Sequence, residues 1–208
     1  MRKMRLTVLP VGQGTGTLIQ VLDDDGEPVE AMLCDIGTGK WKATATGHHS
    51  ADLVVQELDR MSAPTLCAVF LSHGDVDHIN LVRYVLEPFY TPSEGEDPAH
   101  TLVVERVWYG GARTNYKKEG TQVLTELDKY RPVGTTSNII GFAPGATTAK
   151  DVTGGIVPIF SSPCGVDVYL LFGNGVAATA EPVRLKQAKA SDNSVENTVS
   201  LVLLVAYG

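Results

Sequence analysis

An α/β fold is predicted for this chain by three observations. Short apolar runs with strand character recur along it, at 66–71, 102–109, 166–172 and 199–206. Between them lie apolar residues at helical spacing: Leu53, Val54, Leu58 and Met61 in one stretch, Val123, Leu124 and Leu127 in another. The run 66–71 also passes into a short polar loop and then into Ile79, Leu81, Val82, Val85 and Leu86, spaced as an amphipathic helix. Strand, loop and helix in that order form the repeating unit of α/β folds, and the loop after the strand is where such folds place their sites. A length of 208 residues suits one domain, 1–208, with a sizeable core, and 43% apolar residues is an ordinary globular value.

Taken in order, 5–11 reads as a first strand. Gly12-Gln13-Gly14-Thr15-Gly16 follows as a turn. It leads into a second strand, 17–22, and no Lys follows, so a tight hairpin is favoured over a phosphate cradle. The acidic stretch 23–28, with Gly26 and Pro28, is a solvated turn. A third strand, 31–35, ends in Asp35 and a loop with Gly37 and Gly39. His48 and His49 are adjacent, so their side chains diverge, and they read as loop histidines ahead of a helix 51–61 with Ser50 as its N-cap. Residues 90–98 form a Pro- and acid-rich surface loop, and His100 is read as a loop residue rather than a ligand. The run 102–109 is a strand and 117–130 a helix. Residues 131–165 are loops and short strands, with apolar pairs near 139–140 and 156–159. A strand at 166–172, a turn at 173–175 and a surface excursion at 176–190 follow. The last run, 199–206, is so heavily apolar that a central strand buried on both faces is expected.

The chemistry concentrates in the loop after 66–71. His73, Asp75, Asp77 and His78 fall within six residues. His73 and Asp75 are two apart, so on an extended loop their side chains leave on the same side. Asp77 and His78 are adjacent and can diverge toward two centres. Imidazole and carboxylate together suit Zn²⁺, Mn²⁺ or Fe. The competing reading makes Asp77 a helix cap and His78 decoration of the first turn. Four ligand-type residues packed this closely behind an apolar strand favour the metal.

The stretch Ser72-His73-Gly74-Asp75-Val76-Asp77-His78-Ile79 resembles the His-x-His-x-Asp-His signature of the metallo-β-lactamase superfamily. It is closest to the variant, in ComEC-type competence proteins, where the second His is Asp. Three more stretches fit, in the family's order: 9–19 resembles its D-V-G-Q-G-D-A opening, 32–37 its L-I-D-G-G strand end, and 197–203 its N-x-x-S-L-V-L strand. The resemblance implies an αββα sandwich. It implies His73 and Asp75 on one divalent ion and Asp77 and His78 on a second. Asp35 would lie beneath the loop and orient it, the alternative being a turn Asp that bonds its own backbone. The family's bridging Asp, in a T-G-D context, and its last His have no counterpart up to Gly208. The expectation is therefore a fold incomplete at its C-terminus: a fragment, a chain completed by a second chain, or a degenerate member.

The implied activity is that of a metal-dependent hydrolase of phosphodiester or related bonds. A metal-bound hydroxide would be the nucleophile, oriented by Asp75 or Asp77. The substrate would be a small-molecule or nucleic-acid phosphoester. The alternative is a non-catalytic relative that keeps the fold for binding or assembly. A formal charge of -7 argues against a salt-driven grip on nucleic-acid backbone, although bound metals can supply local positive charge. The three cysteines, Cys34, Cys67 and Cys164, are widely spaced, with no Cys-x-x-Cys. No disulfide framework is expected, Cys34 and Cys67 read as core residues, and a cytoplasmic location is the simplest. The basic start, Met1 to Arg5, lacks an apolar segment behind it, so neither a signal peptide nor a membrane span is expected.

Overall fold

Alternating apolar and polar residues near the N-terminus build an antiparallel meander of β1 (Lys3–Val8), β2 (Gly16–Leu22) and β3 (Pro28–Ile36). The computed structural model describes residues 2–39, 45–92, 97–111, 113, 116, 118–141, 158–173, 176–177 and 202–208. The β2–β3 turn closes because Asp23 Oδ1 accepts from the backbone N–H of Asp25 (3.0 Å) and of Glu27 (2.9 Å), while Gly26 takes φ 85°. Helix α1 (Ala45–Asp59) then crosses over to β4 (Thr65–Leu71), which pairs parallel with β3.

After β4 come α2 (Val76–Ile79), α3 (Val82–Leu86), a 3₁₀ turn at Pro98–His100, β5 (Val103–Val104), β6 (Val107–Tyr109), α4 (Lys118–Lys129) and β7 (Ile139–Gly141). These strands make a seven-stranded sheet ordered β1-β2-β3-β4-β6-β7, with β5 also on β4. A second, antiparallel sheet joins β8 (Phe160–Ser161), β9 (Val166–Gly173), β10 (Val176–Ala177) and β11 (Val202–Tyr207) around β9.

Strand alternation assigns the two faces of the main sheet. Leu33, Val69 and Leu71 face the helices and meet Val54 and Leu58 of α1, Val82 and Val85 of α3, and Val123 and Leu127 of α4. Met32, Ala68, Phe70 and Trp108 face the second sheet and meet Phe160, Val166 and Val168. Trp108 bridges the sheets, stacked on Phe70 (5.1 Å between centroids) and edge-on to Phe160 (5.5 Å). The layers are helix, sheet, sheet. β4 is covered on both sides, which is why its sequence is a continuous apolar run rather than an alternating one. No helix among the described residues is long and apolar enough to cross a membrane.

Several boundaries differ from the sequence expectation. The first strand ends at Val8 rather than Val11, although Leu9 and Val11 remain buried. Helix α1 begins six residues before Ala51, so Ser50 is not its cap but a fully buried residue inside it. His48 and His49 ride on that helix, with His48 edge-on to Tyr84 at 4.5 Å. The expected helix over 79–86 is broken at Asn80–Leu81. There the Leu81 N–H donates to Ile36 O (3.1 Å), and the Asn80 amide clamps Thr38 by accepting from its N–H and donating to its O, both at 2.9 Å. The strand 102–109 is split at Glu105–Arg106, yet it keeps its place on β4: the Glu105 N–H donates to Leu66 O, and Arg106 O accepts from the Val69 N–H.

Among the described residues the last strand is neither central nor buried on both faces. Among the described residues β11 ends the second sheet, with Leu203, Val205 and Tyr207 turned inward and Leu204 49% exposed. Over the described residues 203–207 its burial alternates, one face packed on the second core. The cysteines are free thiols; Cys67 is buried and Cys34 packs half-buried against the same core. The pair 156–157, most of the excursion 176–190 and the loop 192–197 lie outside the described residues.

Candidate functional site

Parallel pairing of β3 with β4 brings two strand ends together. Cys34 lies opposite Phe70, so Asp35 and Ser72 emerge side by side. The Ser72 N–H donates to Asp35 Oδ1 and the Ser72 hydroxyl to Asp35 Oδ2, both at 2.7 Å. Asp35 holds φ 50°, a left-handed conformation that Asp tolerates better than most side chains. Its carboxylate meets Ser72 and His78 of the β4 loop.

The imidazoles sit on this pair. Ser72 Oγ is 3.0 Å from Nδ1 of both His73 and His78, and His78 Nδ1 is 2.9 Å from Asp35 Oδ2. The hydroxyl has one proton, and the carboxylate is its strongest acceptor. Assigned on that basis, His73 donates Nδ1–H to Ser72 Oγ and His78 donates Nδ1–H to Asp35. Both Nε2 atoms then face the other way with their lone pairs. The rings lie 3.8 Å apart between centroids, His73 Nε2 is 3.5 Å from Asp75 Oδ2, and His78 Nε2 is 4.0 Å from Asp77 Oδ2. His73 and Asp35 are buried, while Asp75 and Asp77 stand partly in solvent. On the Nδ1 side, Asp35 and Ser72 border a cavity of about 240 Å³ between the sheets, walled by Leu6, Ile19, Phe70, Leu203 and Val205. Solvent reaches the cluster from the carboxylate side.

The loop holds its shape through backbone contacts from two other segments. Asp77 O accepts from the Thr15 N–H (3.1 Å), and Thr15 O from the Gly37 N–H (3.0 Å). A Cβ on Gly14 or on Gly37 would lie 2.8 or 2.6 Å from Asp77 O. Glycine is required at both positions for the chain to pass this close. The turn 12–16, the β3 end and the ligand-type loop are therefore one packed unit. Ser72, Gly14, Gly37 and Asn80 carry no ligand chemistry and were not singled out as functional in the sequence. The signal for Ser72 was its place at the strand end immediately before His73.

The helix-cap alternative for the carboxylates finds little support. Asp77 lies in the first turn of α2 and not at its cap. Asp75 occupies the cap position, but its side chain makes no capping hydrogen bond, and its carboxylate lies beside His73 instead. His49 and His100 are exposed, and His48 packs on Tyr84. Among the described residues no three His, Cys, Asp or Glu side chains are arranged as a complete ligand set.

The two histidines are driven in opposite directions. Burial and the neighbouring His78 push the His73 pKa below its ordinary value. Burial pulls His78 down as well, but the hydrogen bond and charge of Asp35, helped by Asp77 and Asp75, outweigh it and hold His78 above. The His78–Asp35 ion pair therefore contributes stability that is complete below the ordinary histidine pKa and is lost as pH rises through the higher folded value. His73 instead costs stability on acidification. In metal-free protein, NMR titration is expected to find the two imidazoles on opposite sides of about pH 6.5, and Asp35→Asn is expected to bring His78 down. A common midpoint in the wild type would refute the arrangement.

Comparison of the chain with family models, with curated proteins and with solved structures returns no match.

Proposed function

We propose that the chain is a metal-dependent hydrolase of the metallo-β-lactamase type, acting on phosphodiester or related bonds. The observation that carries the reading is the orientation of four side chains. Asp35 and Ser72 hold both Nδ1 atoms from behind, and both Nε2 atoms face carboxylates in front. Metal-binding histidines are commonly fixed through their second nitrogen in this way.

Two ligand atoms each about 2.1 Å from a tetrahedral Zn²⁺ lie about 3.4 Å apart. His73 Nε2 and Asp75 Oδ2, at 3.5 Å, match this. His78 Nε2 and Asp77 Oδ2, at 4.0 Å, need a small rotation of Asp77, whose side chain is 41% exposed. Two electron-rich atoms held this close favour a cation between them. His73 with Asp75 would hold one divalent ion and His78 with Asp77 a second; Zn²⁺ fits the donor set best, with Mn²⁺ or Fe²⁺ as alternatives. Such an ion supplies Lewis acidity toward water and toward an ester oxygen.

The chain's own residues then have distinct tasks. Asp35 and Ser72 fix the tautomer of both imidazoles. Asp75 and Asp77, at the solvent side, are placed to accept a proton from an attacking water and to orient it. The helix–sheet–sheet layering supports the αββα assignment, and the site lies at the C-terminal ends of β3 and β4, where α/β sheets place their chemistry.

The test is hydrolysis of bis-p-nitrophenyl phosphate by chelator-treated protein after addition of Zn²⁺, Mn²⁺ or Fe²⁺. Turnover that appears with metal, disappears with chelator and is lost in Asp77→Asn supports the reading. Metal bound at this loop without turnover on phosphodiester, ester or thioester probes would replace it with a binding or assembly module.

A further inference from the structure

The cavity of about 240 Å³ behind Asp35 and Ser72 is walled by Ile19 and Phe70 of the main sheet and by Leu203 of β11. One wall runs out onto exposed surface. Leu6, which lines the cavity, is 54% exposed, and Val8, two residues on and on the same face of β1, is 74% exposed. The strand register sets Leu6 opposite Ile19 and Val8 opposite Thr17, which also lines the cavity. Exposed apolar surface that continues into a concave apolar space is where a small ligand enters.

The lining decides what kind of guest fits. It contains no Lys, Arg or His, and its one carboxylate, Asp35, is already engaged by Ser72 and His78. The Cys34 thiol on the same wall stays neutral, because burial and then the charge of Asp35 push it up to about 12. A charged guest would lose its hydration here without gaining a free partner. An uncharged apolar guest avoids that cost and takes apolar wall out of water. Size narrows the choice. An apolar cavity of about 150 Å³ accommodates benzene, so this one has room for a ring with a short substituent. Phe70, held in a stack on Trp108 at 5.1 Å, supplies a fixed aromatic wall.

We propose that this cavity is a binding site for a small uncharged aromatic molecule, one ring with a short substituent, which enters past Leu6 and seats between the two sheets. The site lies on the Nδ1 side of the histidines, away from both Nε2 atoms. Its occupancy therefore requires neither a metal ion nor turnover, and it stands whether or not the chain is a hydrolase.

The probe is toluene, titrated into the full chain after chelator treatment and followed by amide NMR. Saturable shifts are expected at Ile19, Cys34 and Phe70, and not at Val123 or Leu127 on the helix side of the sheet. Benzoate and benzylammonium, which carry the same ring with a charge, are expected to bind at least about tenfold more weakly, since the charge must be desolvated. Leu6→Trp, at a half-exposed position, places an indole in the entrance and is expected to abolish binding. Leu6→Ala leaves the entrance open and is expected to retain it. Three results would overturn the proposal: no saturable shift at the lining residues, either charged probe binding as tightly as toluene, or unchanged toluene affinity in a folded Leu6→Trp variant.

Discussion

Metal carried by the purified wild-type chain is expected to be near-stoichiometric and to vanish in the His73→Ala/His78→Ala double variant. Elemental analysis of the two proteins, prepared side by side, decides it. Each substitution removes one Nε2 donor, and each carboxylate left behind binds an ion weakly by itself. The loss in affinity should exceed the roughly 100-fold that follows removal of an outer hydrogen-bond partner. Binding should also weaken as pH falls, because an ion must displace the proton that Asp35 favours on His78. Circular dichroism checks that the variant remains folded. Equal metal in both proteins would place the ion elsewhere. No metal in either, after a folded sample is challenged with Zn²⁺, Mn²⁺ and Fe²⁺, would remove the basis for the proposed hydrolase.

Gly37→Ala is expected to be among the most damaging single substitutions in the chain. The new Cβ would meet the backbone of Asp77 and His78, including Asp77 O at 2.6 Å, and main-chain atoms cannot swing aside as a flexible side chain can. Either β3 or the ligand-type loop must move. A cost of about 3 kcal/mol or more is expected, at or beyond the upper end of what overpacking usually costs. Gly26→Ala is the control. Gly26 has φ 85° but nothing within 4 Å of a built Cβ, so only conformational strain of about 1–2 kcal/mol applies. Urea unfolding of the two variants separates steric conflict from strain. A Gly37→Ala no worse than Gly26→Ala would mean that the loop is not packed against β3 in solution. If the packing holds, Gly37→Ala should also lose metal, since Asp77 and His78 flank the point of collision.

How much was readable depended on the range of the interaction. The strand 66–71 was legible because burial on both faces demands a continuous apolar run, and helix α4 because Val123, Leu124 and Leu127 share a face. The start of α1 was not. Thr46, Gly47 and the two histidines lack apolar spacing, and Ser50 mimicked a cap while being drawn into the core. The last strand misled for the opposite reason: a run of apolar residues looks the same whether it is covered on two faces or on one. The break between α2 and α3 was equally hidden, since it comes from Asn80 clamping Thr38, a residue 42 positions earlier.

The sequence by itself determined the α/β class, the concentration of His73, Asp75, Asp77 and His78 on one loop, and the turn at 12–16. Each follows from spacing within a few residues, where local geometry and side-chain chemistry suffice. The tertiary structure decided which nitrogen of each histidine points outward. That choice depends on Asp35, Ser72 and the parallel register of β3 on β4, which places residues 37 and 43 positions apart within hydrogen-bond distance. It also decided that Gly14 and Gly37 are steric requirements. No local pattern reports these, because each depends on what a distant segment brings alongside.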